Sequence, residues 1–201
     1  MEDELYASLT AGIRKPTKHK VALFSCGAAG SGKTTSRKQF VEDAGIKTTF
    51  VYLNIDNYWK YAPTMDKARE LYRRLVIRVV DDGYSFLMDA TCRNTSSISS
   101  LMTEVKEKGY TVKLSITYAK LNTVLQRLRK RVQQYTRPEL GIAIYKEVEQ
   151  KIESLLKNPN IDEIFLYDNE TITRLIFHKD AKKVVCLFPE SSFYFDVSKY
   201  C

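Results

Sequence analysis

The run Gly27-Ala28-Ala29-Gly30-Ser31-Gly32-Lys33-Thr34 has residue types and spacing that suit phosphate chemistry. Glycines at 27, 30 and 32 let the backbone curl tightly and turn several N–H groups inward, a nest for a phosphate at the positive end of a following helix. Lys33 can then reach the β- and γ-phosphates of a nucleoside triphosphate, and the Thr34 hydroxyl can ligate magnesium. Residues 27–34, with Thr35 in the same helix opening, are therefore expected to bind ATP and Mg2+. The bland alternative is an ordinary glycine-rich turn.

Carboxylates further along supply what such a loop lacks. Asp56, in Asn54-Ile55-Asp56-Asn57-Tyr58, follows an apolar strand-like run. A carboxylate there can accept the proton of an attacking hydroxyl while the loop holds the phosphoryl donor. Its plainer use is to cap the segment after the strand. Asp89 ends another apolar run, where it can hold magnesium through water, bind a substrate hydroxyl or simply form a turn. Thr91 and Arg93 stand beside it on the same exit. Arg127, Arg129, Lys130 and Arg131 crowd one helix end, with Arg137 beyond. Guanidinium groups stabilise charge spreading over a γ-phosphate, so two of these five are expected on the nucleotide and the rest in solvent. The only histidines, His19 and His178, lie in no motif, which leaves the general base to a carboxylate.

These residues need a frame that brings them together. Residues 21–25 form an apolar run stopped by glycine, the mark of a buried strand. Similar strands are expected at 49–53, 84–88 and 112–118. Between and after them fall helices: from the loop to about Ala44, 65–82 with Ala68, Leu71, Leu75 and Val79 on one face, 96–108, 121–134 and 138–157. Strands alternating with helices predict an α/β fold, a P-loop NTPase-type three-layer sandwich with a mostly parallel sheet. Strand-like segments at 163–168, 171–178 and 182–188 predict a small C-terminal antiparallel addition. The whole reads as one domain: a polar lead-in at 1–19, a core at 20–157 and a β-rich extension at 158–201.

With 201 residues, 44% hydrophobic and 28% charged, the chain has the composition of a globular protein. No apolar run approaches the ~18 to 20 residues that span a bilayer, and the N-terminus is acidic, so a cytoplasmic protein is expected. The net charge of +8 suits an anionic partner, either nucleotide or nucleic acid on a basic surface. Cys26, Cys92, Cys186 and Cys201 show no metal-ligand spacing. Cys26 and Cys92 fall near strand exits, either as small packed residues or as thiols whose oxidation would block the site.

With these elements in order, the chain resembles the zeta toxin family of P-loop kinases, over roughly residues 20 to 175. The carriers are GAAGSGKT at 27–34, NIDNY at 54–58, DDGYSFLMDATCRNT at 81–95, EKGYTVKL at 107–114, RKR at 129–131 and Arg137. The resemblance implies that Lys33 binds ATP, Asp56 is the catalytic base, Asp89, Thr91 and Arg93 contact substrate, and Arg131 and Arg137 contact ATP phosphates. It implies a kinase acting on an alcohol group, with a UDP-amino sugar as acceptor and an antitoxin-like protein inhibitor. Asp89 is one methylene shorter than the glutamate of those toxins, and Arg73 stands near the place of an acidic substrate contact.

Two other readings stay open at this level. A polynucleotide 5′-hydroxyl or nucleoside kinase would share the loop, the Asp base and a basic channel. A non-catalytic nucleotide-dependent switch or scaffold would bind ATP without transferring phosphate.

Overall fold

The apolar run after Lys20 forms β1 (Lys20–Cys26), buried from Ala22 onward. The computed structural model describes residues 1–16, 18–130 and 138–201, and within them β1 is the third strand of a seven-stranded sheet. The order is β2 (Val51–Asn54), β3 (Phe86–Asp89), β1, β4 (Tyr110–Tyr118), β5 (Glu163–Asp168), β6 (Arg174–Lys179) and β7 (Val184–Cys186). The first five are mutually parallel, β6 pairs antiparallel with β5, and β7 pairs antiparallel with β6. The segment at 163–168 thus completes the parallel sheet, and the antiparallel addition consists of the last two strands.

Parallel strands are covered on both faces, and the alternation along β1 shows how. Leu23 points to a small cluster with Leu87, Phe165, Tyr167 and Phe40 of α2 (Lys33–Asp43). Full burial of Phe40 stabilises this face by about 2 kcal/mol. Ala22 and Phe24 point to the larger cluster. There they meet α3 (Met65–Asp81), α4 (Thr95–Glu107), α5 (Leu121–Lys130) and α6 (Pro138–Lys151). Helix α3 shows the predicted stripe of Ala68, Leu71, Leu75 and Val79, starts at the Thr64 side-chain cap and stops before Gly83 at φ 76°. The predicted 138–157 helix changes to a 3-10 turn at Ile152–Lys157.

The polar lead-in is not irregular. Glu2–Thr10 forms α1, which buries Tyr6. The Tyr6 hydroxyl donates to Asp82, the Arg78 guanidinium lies over its ring, and Arg74 and Arg78 pair with Glu2 and Asp3. Leu5 and Leu9 pack against the core beside Tyr6, but so short an apolar face among charges is too weak a periodicity for the helix to be read from sequence.

All four cysteines are paired, Cys26 with Cys92 and Cys186 with Cys201. The second pair ties the C-terminal residue to β7, so the last segment turns back over the sheet.

Candidate active site

Parallel strands deliver their C-terminal ends to one rim. Register places Asp89 beside both Ser25 and Asn54, and Tyr118 beside Asp168. The phosphate loop leaves β1 at this rim. Gly27, Gly30 and Gly32 have φ of 146°, 86° and 95°, the left-handed region that side chains avoid. Space forbids side chains as well. A Cβ on Gly27 would stand 2.4 Å from the Thr117 carbonyl oxygen, and one on Gly32 would stand 1.7 Å from Asn169 Nδ2.

The loop is held from behind by groups outside its motif. Arg127 Nη1 donates to the Ser31 carbonyl at 3.1 Å, and its Nη2 donates to the Asn169 and Glu170 carbonyls at 2.7 and 3.1 Å. Asn169 Nδ2 donates to the same Ser31 oxygen at 2.9 Å. Arg127 belongs to the basic cluster, but it braces the loop. Lys33 Nζ donates to the Gly27 and Ala28 carbonyls at 2.9 and 3.1 Å, arching over its own loop. The Ala28 N–H is committed to the Tyr194 hydroxyl and the Thr35 N–H to the Gly32 carbonyl.

Lys33, Thr34, Asp56, Asp89 and Thr91 line one depression of about 130 Å³. Asp56 is exposed there. The capping role at this turn falls to Asn54, whose Oδ1 accepts the Asp56 N–H at 2.9 Å. Asp89 is 6% exposed and accepts the Tyr52 hydroxyl at 3.0 Å. Burial, reinforced by the Asp89 charge, holds the Tyr52 phenol above its ordinary pKa.

The depression opens into a second, of about 400 Å³, through Ala90 and Thr91, where Arg93, Asn94 and Arg69 form the wall. That in turn meets a third, of about 550 Å³, bounded by Arg93, Glu147 and Lys151. The helix residue that reaches this groove is Arg69; the exposed Arg73, one turn along, does not line it. Tyr72 was missed by sequence reasoning. Its hydroxyl is buried with no hydrogen-bond partner among the described residues. Burial first, then Tyr58, Asp89, Tyr52 and Asp56, push that phenol's pKa well up. Arg131 and Arg137 lie outside the described residues.

Cys26, the last residue of β1, is bonded to Cys92, and the two residues are 0% and 3% exposed. Their bond ties the end of β1 to the loop carrying Thr91 and Arg93.

The family model for the zeta toxin matches residues 6–181. The chain belongs to the zeta toxin family. Toxin zeta of Streptococcus pyogenes is 22% identical over 185 residues, covering 79% of this chain and 64% of that protein, so the chain spans somewhat under two thirds of that relative. Among solved structures, the PezAT chromosomal toxin-antitoxin system of Streptococcus pneumoniae is similar with a TM-score of 0.67 and 20% identity, over 88% of this chain and 78% of that one. The AvrRxo1-ORF1:AvrRxo1-ORF2 complex with sulphate ions is similar with a TM-score of 0.72 and 14% identity, over 92% and 68%. The same complex has also been solved with ATP. At these identities the structural matches show a shared fold. The zeta toxin match ends at residue 181, and Tyr194 lies in the twenty residues after it.

Proposed function

We propose that this zeta toxin family member is an ATP-dependent kinase that transfers the γ-phosphoryl group to a hydroxyl of a small-molecule acceptor. The observation that carries this reading is the single depression in which Lys33 and Thr34 of the phosphate loop face Asp56 and Asp89 from neighbouring strand ends.

Each residue has a defined task. The loop glycines bring the backbone close to the triphosphate, and Lys33, leaving the carbonyls of residues 27 and 28, neutralises charge on the β- and γ-phosphates. Asp56, exposed toward the acceptor side, takes the proton of the attacking hydroxyl. Thr34 and the nearby Asp89 offer the hydroxyl and carboxylate oxygens that suit a magnesium ion, which keeps most of its waters beside phosphate. Bound there, the ion would neutralise phosphate charge. Thr91, Arg93 and Arg69 line the groove that receives the acceptor, and its cationic wall suits a phosphorylated one. A UDP-amino sugar is the acceptor the family resemblance brings, and an antitoxin-like protein inhibitor belongs to the same reading. Arg131 and Arg137 complete the proposed set of ATP phosphate contacts.

The polynucleotide kinase reading gains little from geometry. Arg14, Lys15, Lys18, His19 and Lys47 line a basic concavity of about 530 Å³. That concavity lies by the entry of β1, a strand's length from the phosphate loop at its exit.

The test is a panel assay with γ-labelled ATP against UDP-sugars, nucleosides and 5′-hydroxyl oligonucleotides. A labelled small molecule with the wild type and none with Lys33→Ala is expected. Labelling of oligonucleotides alone would move the assignment to the polynucleotide class.

A further inference from the structure

After β7 an aromatic segment, Phe193-Tyr194-Phe195, returns to the exit of β4. Tyr194 is 6% exposed, and its ring packs edge-on against Tyr118, the last residue of β4, with centroids 5.0 Å apart. Its hydroxyl accepts the Ala28 N–H at 2.9 Å and donates to the Thr117 carbonyl at 3.2 Å. A single oxygen therefore joins the first turn of the phosphate loop to the strand beside it. Ala28 is fully buried, and a buried backbone N–H without a partner is costly. Without this phenol that donor needs another partner, and the left-handed Gly27 leaves the first turn free to rotate toward one.

The tail is placed by more than the tyrosine. Cys201 is bonded to Cys186 of β7, and the Tyr200 hydroxyl donates to Glu153 at 2.8 Å. Phe193 and Phe195 stack edge-on at 5.0 Å along its course.

We propose that Tyr194 is a positioning residue for the phosphate loop. Its hydroxyl sets the loop's first turn for ATP, and the C-terminal tail serves to bring it there. The proposal rests on the reading that residues 27–34 bind ATP, and its test separates the two.

The test is calorimetric titration of ATP with magnesium into the wild type, Tyr194→Phe and Tyr145→Phe, with a thermal unfolding curve for each. Tyr194→Phe keeps the ring and removes only the hydroxyl. Tyr145 belongs to the same aromatic cluster, but its hydroxyl meets Tyr118 and not the loop. ATP is expected to bind Tyr194→Phe about tenfold more weakly, the effect of one lost hydrogen bond, and to bind Tyr145→Phe as it binds the wild type. Equal affinity in all three proteins, or equal loss in both variants in step with lower thermal midpoints, overturns the positioning role and leaves the ATP reading standing. Failure of the wild type to bind ATP overturns both. Should Tyr194→Phe not fold, amide exchange in the wild type decides: ATP is expected to slow exchange at Ala28 and at residues 193–195 together. Unchanged exchange in the tail would count against the proposal.

Discussion

The side-chain amide of Asn169 donates to the Ser31 carbonyl at 2.9 Å, and the same nitrogen occupies the place a Cβ on Gly32 would take. The residue after β5 thus fills the space that the loop glycine leaves. Gly32→Ala is expected to lose ATP binding, because the methyl meets Asn169 and the left-handed φ is strained. In Gly32→Ala/Asn169→Ala the clash with Asn169 goes, while Arg127 Nη1 stays 3.3 Å from the added methyl and the strained φ remains, the latter at a cost of roughly 1 kcal/mol. Binding in the double variant should recover partly, by titration. Equal loss in single and double variants, with Asn169→Ala alone binding ATP as the wild type does, would show that the clash plays no part.

The bond between Cys26 and Cys92 joins residues 66 positions apart and fastens the exit loop to the base of the phosphate loop. Cross-links of this kind typically stabilise by about 2–4 kcal/mol. Peptide mapping without reductant is expected to recover the 26–92 and 186–201 pairs. Denaturant unfolding of the wild type in a dithiol reductant should come at lower concentration, as should that of Cys92→Ser without reductant. A denaturation midpoint indifferent to both would contradict a stabilising role.

The sheet and its rim were legible because their signals are local. The apolar run at 21–25, the stripe on α3 and the carboxylates after strands each follow from a short window of sequence. The motif gave the glycines, Lys33 and Thr34 for the same reason. What braces the loop was not legible. Arg127 sits in a basic cluster whose members differ only in direction, and Asn169 and Tyr194 reach the loop across 138 and 166 residues. Tyr72 reads as one more position on an amphipathic helix until its hydroxyl is found buried beside the carboxylates. Helix α1 was missed because its apolar face is short, Leu5, Tyr6 and Leu9 among acidic residues, and its ion pairs to Arg74 and Arg78 of α3 are long-range.

Glu170 carries a pH prediction. Burial pushes its carboxyl up, but bonds from the Thr123 hydroxyl and the Lys120 N–H, with the Lys120 and Arg127 charges, bring the net pKa below its ordinary value. A lowered folded pKa stabilises above the unfolded value, and that stability is lost as pH falls through the folded one. The thermal midpoint of the wild type should exceed that of Glu170→Gln at about pH 6, and the gap should close toward about pH 3. A gap that stays constant over that range would rule the linkage out.

Arg93 lines both outer parts of the groove and lies 4.0 Å from Glu147, both of them well exposed. An ion pair so exposed is worth at most about 1 kcal/mol, so a ligand can take the guanidinium from it. Arg93→Ala is expected to raise the acceptor KM about tenfold, the value of one charge-assisted hydrogen bond, with ATP affinity unchanged. A drop in ATP affinity instead would move Arg93 to the donor side.

The most direct measurement compares Asp56→Asn with the wild type for ATP affinity and for γ-phosphoryl transfer to whichever acceptor the panel identifies. The substitution keeps the size of the side chain and the Asn54 cap, and removes only the proton acceptor. ATP affinity within a few-fold of wild type is expected, with transfer slowed by about 10²–10⁴, the usual contribution of a general base. Transfer at the wild-type rate would contradict the assignment of Asp56, and no transfer by the wild type to any acceptor would contradict the kinase itself.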